Sequence, residues 1–142
     1  MKTILVKYVR DIKPIQNITQ GDWIDLRAGE TVELAAGEYR MIPLGVAMEL
    51  PKGYEALVIP RSSTFSKWGV LLVNSVGLID ESYCGDGDEW HMPVLAMRKT
   101  TIHKNDRICQ FRIIQHMPET ELVRVKHLGN ENRGGFGSTG EN

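Results

Sequence analysis

Four stretches of the chain carry residue types that could do chemistry. Asp80 stands between the apolar pair Leu78-Ile79 and the polar run Glu81-Ser82-Tyr83. A carboxylate placed there could serve as a general base; alone, it reads more simply as a turn residue. Arg61-Ser62-Ser63 follows Pro60 at the end of an apolar stretch, and alone it reads as a helix cap beside a solvated arginine. GFGSTG, from Gly135 to Gly140, fits the GxGxxG pattern, but only Glu141 and Asn142 come after it. A dinucleotide fingerprint needs a strand before it and a helix after it. What remains is a run of accessible backbone N–H groups with Ser138 and Thr139 as hydroxyl donors, able to wrap phosphate oxygens if held in place. The acidic stretch IDESYCGDGDEW fails as a calcium loop. Counting from Asp80, Gly85 takes position six, but Cys84 takes position five and His91 position twelve, so no bidentate Glu closes it. The four histidines are scattered and Cys84 and Cys109 form no CxxC pair. No protein-caged metal is expected, and a magnesium ion arriving on a phosphate substrate is compatible with that, since magnesium keeps its waters. No GxSxG elbow is present.

Short alternating apolar segments must position these residues. Ile4, Val6 and Tyr8 share one face; Ile42, Leu44, Val46, Met48 and Leu50 share another; Cys109, Phe111 and Ile113 a third; Leu122 to Leu128 reads as a further strand. Five prolines from Pro43 to Pro118 interrupt any long helix. One helical turn or two is predicted in SSTFSKW, capped by Ser62 or Ser63. Many short strands with frequent turns predict an all-β sandwich or barrel.

The chain has 142 residues, the span of one domain, with 17 basic and 18 acidic side chains for a net charge of -1. Nothing in that balance points to nucleic acid. No apolar run nears the roughly 20 residues of a membrane span, and MKTILVKYVR lacks a signal-peptide cleavage site. A cytoplasmic protein with reduced cysteines is expected. The tail from Gly129 carries five glycines and one aromatic, Phe136. Its composition cannot order it alone, yet a purely solvating tail has no use for that aromatic.

Read together, these segments resemble the trimeric all-β deoxyuridine triphosphate nucleotidohydrolases (dUTPases). Asp25-Leu26-Arg27-Ala28 resembles the first motif of that family, Pro60-Arg61-Ser62-Ser63 the second, and Asn74 through Gly77-Leu78-Ile79-Asp80 to Tyr83 and Gly85 the third. Asp106-Arg107-Ile108-Cys109-Gln110 resembles the fourth and Arg133 to Gly140 the fifth. The five fall in order across about residues 20 to 140. The resemblance implies a jelly-roll-like β-domain over 1–128, with one short helix, and a flexible lid over 129–142 that closes on a neighbouring subunit's site. It implies hydrolysis of dUTP to dUMP and pyrophosphate by water attack on the α-phosphate, in a homotrimer whose sites each draw on three chains. Asp80 would be the general base. Gln110 would place the water and touch the α-phosphate. Arg61, Ser62 and Ser63 would hold phosphate oxygens, and Asp25 would organise water around Mg2+ bound with the triphosphate. Asn74 and the Gly77-Leu78-Ile79 backbone would read uracil. Tyr83 would exclude a 2′-hydroxyl, Phe136 would stack on uracil, and Arg133, Ser138 and Thr139 would meet phosphates.

Four departures from the family pattern stand out. Ser63 replaces a usual Gly, and Cys84 a usual basic or polar residue. Gly85 to Trp90 reads as an extra acidic loop near the site entrance. Arg133 stands three residues before Phe136, where the family usually spaces five. Two rival readings remain. A dCTP deaminase of the same fold also contains Arg-Ser-Ser, but it needs a Glu in the next strand, and HMPVLAMRKT has no carboxylate. A regulatory protein-binding module is motivated by the acidic residues Asp86 to Glu89.

Overall fold

The computed structural model describes residues 1–137; Ser138 and Thr139 lie outside the described residues. In chain order the elements are β1 (Leu5–Tyr8), β2 (Ile24–Arg27), β3 (Val32–Leu34), β4 (Tyr39–Pro43), β5 (Val46–Glu49), β6 (Tyr54–Pro60), α1 (Thr64–Trp68), β7 (Val70–Leu72), β8 (Gly77–Ile79), β9 (His91–Ala96), β10 (Thr100–Ile102) and β11 (Arg107–Gln115). The all-β expectation with one short helix holds. The strands form antiparallel sheets ordered β2-β11-β6-β8, β4-β9-β7, β1-β5 and β10-β3. Among the described residues no helix is long and apolar enough to cross a membrane.

The apolar alternation has a direct structural result. Ile42, Leu44, Val46, Met48 and Leu50 are all buried. They do not lie on one strand, because the chain turns at Gly45, whose φ is +74°, so β4 and β5 join different sheets. A Cβ at Gly45 would come within 2.9 Å of Ile12, so glycine serves both the turn and the close packing. In β9 burial alternates strictly, with Met92, Val94 and Ala96 inside. Strand β11 departs from simple alternation. Its register against β2 shifts between Arg107 and Cys109, and Ile108 and Cys109 are both fully buried. That bulge brings Gln110 opposite Asp25.

Two expectations, on Ser63 and on Leu122 to Leu128, need correction. Ser63 occupies the N-cap of α1 but makes no side-chain capping bond. Trp90 closes the Gly85–Trp90 loop just before β9 and is fully buried: it lines the apolar cavity described below and meets Phe111 edge-on at 5.2 Å between ring centroids. Leu122 to Leu128 forms no strand. It runs exposed, with Leu122, Val123, Val125 and Leu128 all open to solvent, because no strand among the described residues pairs with it.

Candidate active site

Most of the predicted residues of the β-domain fall into two separate basins on one chain. The first is polar, about 300 Å³, and is lined by Asp25, Arg61, Ser62 and Gln110. Strand register builds it. Asp25 on β2 lies opposite Gln110 on β11, and Gln110 lies opposite Ile59 near the end of β6. Arg61 comes directly after that strand. Its Nε sits 3.0 Å from Asp25 Oδ1, and Arg107 reaches Asp25 Oδ2 at 3.2 Å. Gln110 Nε2 donates to the Pro60 carbonyl at 3.1 Å. The turn carrying Arg61 and Ser62 is fixed by Thr64, a residue that no sequence motif marks. Thr64 is buried; its Oγ1 accepts from Arg61 N at 2.8 Å and donates to the Ile108 carbonyl at 2.9 Å. That hydroxyl ties the end of β6 to β11. Ser63 does not line this basin.

Gln20, Asp22 and Trp23 also line the polar basin, from a loop with no apolar period to mark it. Two carboxylates, Asp22 and Asp25, thus line the basin, Asp25 between two arginines, and no cluster of three metal-ligating side chains occurs among the described residues. Such a donor set suits a hydrated cation accompanying a polyphosphate rather than an ion caged by protein.

The second basin is an apolar cavity of about 460 Å³, with Asn74, Gly77, Leu78, Ile79, Asp80 and Tyr83 in its wall. Met41, Val58, Leu72 and Pro93 add apolar surface to it. Strand β8 is the last strand of its sheet, paired only to β6 among the described residues. Its outer edge therefore presents backbone donors and acceptors that a ligand can use. The glycine at its start packs closely, since a Cβ at Gly77 would come to 3.2 Å of the Val58 side chain.

Asp80 leaves the end of β8 in a tight turn. One carboxylate oxygen, Oδ2, accepts both the backbone N–H of Ser82, at 2.9 Å, and the Ser82 hydroxyl. These two bonds, hydroxyl first, hold the Asp80 pKa below the usual aspartate value, with His116 adding a favourable charge. Oδ1 is left without a donor among the described residues. Tyr83 donates its hydroxyl to the Glu89 carbonyl at 2.7 Å. Partial burial, with Asp88 and Glu89 nearby, raises its pKa above the ordinary tyrosine value.

The acidic loop is partly tied to the rest of the chain. Asp86 pairs with Lys7 at 3.2 Å, Asp88 accepts from Gly85 N at 2.8 Å, and Glu89 is held by Arg10 at 2.7 Å and Gly45 N at 2.9 Å. Glu89 is therefore held within the chain, whereas Asp86 stays open to solvent.

The two basins do not merge. Ile79 pairs with Ala56, whereas Gln110 pairs with Ile59 on the other flank of β6. Three residues along a strand is roughly 10 Å, and two strand spacings across the sheet add roughly 10 Å. Arg133 and Phe136 lie in the tail, where Phe136 is fully exposed and neither lines a basin.

Comparison with known proteins gives the family and the fold. A dUTPase family model matches residues 13–140. A SPbeta prophage-derived deoxyuridine 5'-triphosphate nucleotidohydrolase of Bacillus subtilis (strain 168) is 56% identical over 138 residues, covering 96% of this chain and 97% of the relative. Among solved structures, a mutant of the Staphylococcus bacteriophage 80alpha dUTPase with dUpNHpp superposes at a TM-score of 0.79, with 23% identity over 97% of this chain and 98% of that one. A mutant dUTPase from phage phi11 of S. aureus, described with a structural Mg(II) ion, gives 0.73 at 20% identity, covering 89% and 98%. These two share the fold.

Proposed function

This chain belongs to the dUTPase family, and from that premise we propose that it cleaves dUTP to dUMP and pyrophosphate at sites assembled from neighbouring copies. Its activity is that of a dUTP diphosphatase. The observation that carries the reading is Asp80 at the rim of an apolar cavity whose wall is an unpaired strand edge.

Uracil enters that cavity. Its alternating acceptor–donor–acceptor edge meets backbone groups of Gly77, Leu78 and Ile79, with Asn74 beside them. Cytosine would present an amino donor where a donor already stands, leaving buried groups unpaired. Tyr83 stands against the sugar and leaves no room for a 2′-hydroxyl. Asp80 takes a proton from the attacking water through the carboxylate oxygen that Ser82 leaves open. Removing a general base of this kind typically costs about 10²–10⁴-fold in rate.

The phosphates lie in a polar basin supplied by another copy. Arg61, Ser62 and Gln110 donate to phosphate oxygens, and charge-assisted bonds from Arg61 dominate. Ser63, at the N-cap, offers its hydroxyl to the same chain of oxygens. A magnesium ion bound with the triphosphate would neutralise its charge, and Asp25 would hold that ion's waters. Asp25 is already oriented by two guanidiniums, so its carboxylate needs no rearrangement.

The tail from 129 onward is the lid in this reading. Phe136 stacks on uracil and Arg133, Ser138 and Thr139 meet phosphates, on a neighbouring copy's site. The exposed apolar side chains of Leu122, Val123, Val125 and Leu128 support a homotrimer, because an arm of that composition needs a surface to cover it. A cytoplasmic location fits the two free cysteines, Cys84 and Cys109. The test is an assay of dUTP, dCTP, dTTP and UTP with magnesium, scoring pyrophosphate and ammonia separately. Pyrophosphate from dUTP alone is expected; ammonia from dCTP would replace this reading with the deaminase.

A further inference from the structure

The acidic loop that departs from the family pattern lies beside the residue placed against the sugar. Among the described residues the Tyr83 side chain has one polar anchor, the main-chain carbonyl of Glu89, which accepts its hydroxyl at 2.7 Å. That carbonyl does not float. The side chain of the same residue reaches back to the β4–β5 turn, where Oε2 accepts from Gly45 N at 2.9 Å and from Arg10 Nε at 2.7 Å. One residue on, Trp90 N donates to the Val46 carbonyl and Leu44 N donates to the Trp90 carbonyl, both at 2.9 Å. The Glu89 side chain is mostly buried, at 14% exposure. A salt bridge so placed fixes geometry more than it adds stability.

We propose that Glu89 is a positioning residue for sugar discrimination: its clamp to Gly45 and Arg10 holds the carbonyl that pins Tyr83 against the 2′ position. The inference rests on the proposed placement of Tyr83 against deoxyribose. A phenol tethered at its far end cannot swing aside to admit a 2′-hydroxyl; an untethered ring in a cavity of about 460 Å³ can. The loop is thereby a ribose filter, and Glu89 is the acidic residue that serves it from within.

The experiment measures kcat/KM for dUTP and for UTP in wild type, Tyr83→Ala, Tyr83→Phe, Glu89→Ala and the Tyr83→Phe/Glu89→Ala double variant, each checked for its thermal transition. Losing one hydroxyl hydrogen bond corresponds to about 3- to 10-fold. Tyr83→Phe and Glu89→Ala should each lower the dUTP-to-UTP ratio by about that factor, and the double variant by no more than the larger single loss. A Tyr83→Phe ratio within about twofold of wild type overturns the proposal, and it does so whether or not Glu89→Ala folds. A folded Glu89→Ala with an unchanged ratio also overturns it, as do losses that multiply. Tyr83→Ala separates the two layers. If it keeps the wild-type ratio, the placement of Tyr83 against sugar fails and takes this inference with it. If it collapses the ratio while the other variants hold, only the role of Glu89 and the tether fails.

Discussion

The polar basin and the apolar cavity are built by different means. The basin is a product of sheet register: β2, β11 and the end of β6 bring Asp25, Gln110 and Arg61 together through backbone pairing, and the buried Thr64 hydroxyl locks the turn. Its contents are charges, arranged as Arg61–Asp25–Arg107. The cavity is a product of shape. Apolar side chains and an edge strand make it, and a loop fastened to Gly45 and Arg10 sets its rim. A nucleotide has the same division, with a charged triphosphate at one end and a flat, neutral base at the other. Each basin suits one end, and within one chain the two do not meet.

That contrast can be attacked from both sides. The largest effect is expected at the cavity rim: Asp80→Asn should lower kcat by about 10²–10⁴-fold while dUTP still binds, seen as a near-normal Kd by calorimetry. A rate near wild type would remove Asp80 from the base role. In the basin, Arg61→Ala should raise KM or lower kcat/KM by about 10- to 100-fold, the scale of a hydrogen bond to a charged group, and the loss should shrink as ionic strength rises. Equal losses for deoxyuridine binding and dUTP binding would break the division of labour. Behind the cavity, Trp90→Ala should cost about 3–5 kcal/mol of stability, read from denaturant midpoints, because it empties the space against Phe111. A surface-loop tryptophan would cost little.

The smallest effect concerns pH. The Ser82 bonds keep Asp80 ionised below the ordinary aspartate range, and the base works only when deprotonated. Activity should therefore persist as pH falls through the usual aspartate pKa and fail only below it. Ser82→Ala removes the hydroxyl bond, so the acid limb of the kcat/KM profile should move upward. An unmoved limb would mean the bond does not act on the catalytic carboxylate.

Much of this architecture is legible in the sequence because it is local. The inward faces at 42–50 and 109–113 come from alternation, and Asp80 next to a short apolar strand comes from the segment itself. The features that are not legible depend on partners far along the chain. The Arg10–Glu89 pair spans 79 residues, so the acidic loop reads as solvated until its partner is placed. Trp90 reads only as the end of an acidic loop, because its burial against Phe111 depends on packing with a strand 21 residues further on. Alternation through Cys109, Phe111 and Ile113 points Ile108 outward, because a bulge leaves no composition signal. Leu122 to Leu128 has the pattern of a strand, but a strand needs a partner, and none of the described strands pairs with it.

The central claim is that one chain supplies halves of different sites. Its most direct test mixes two impaired chains, one truncated after Leu128 and one carrying Asp80→Asn, refolded together. Each alone should hydrolyse dUTP poorly. Together they should regain activity, because some assembled sites combine an intact Asp80 from one copy with an intact tail from another. Mixed oligomers that form, verified by mass, and remain as inactive as their parents would contradict the account.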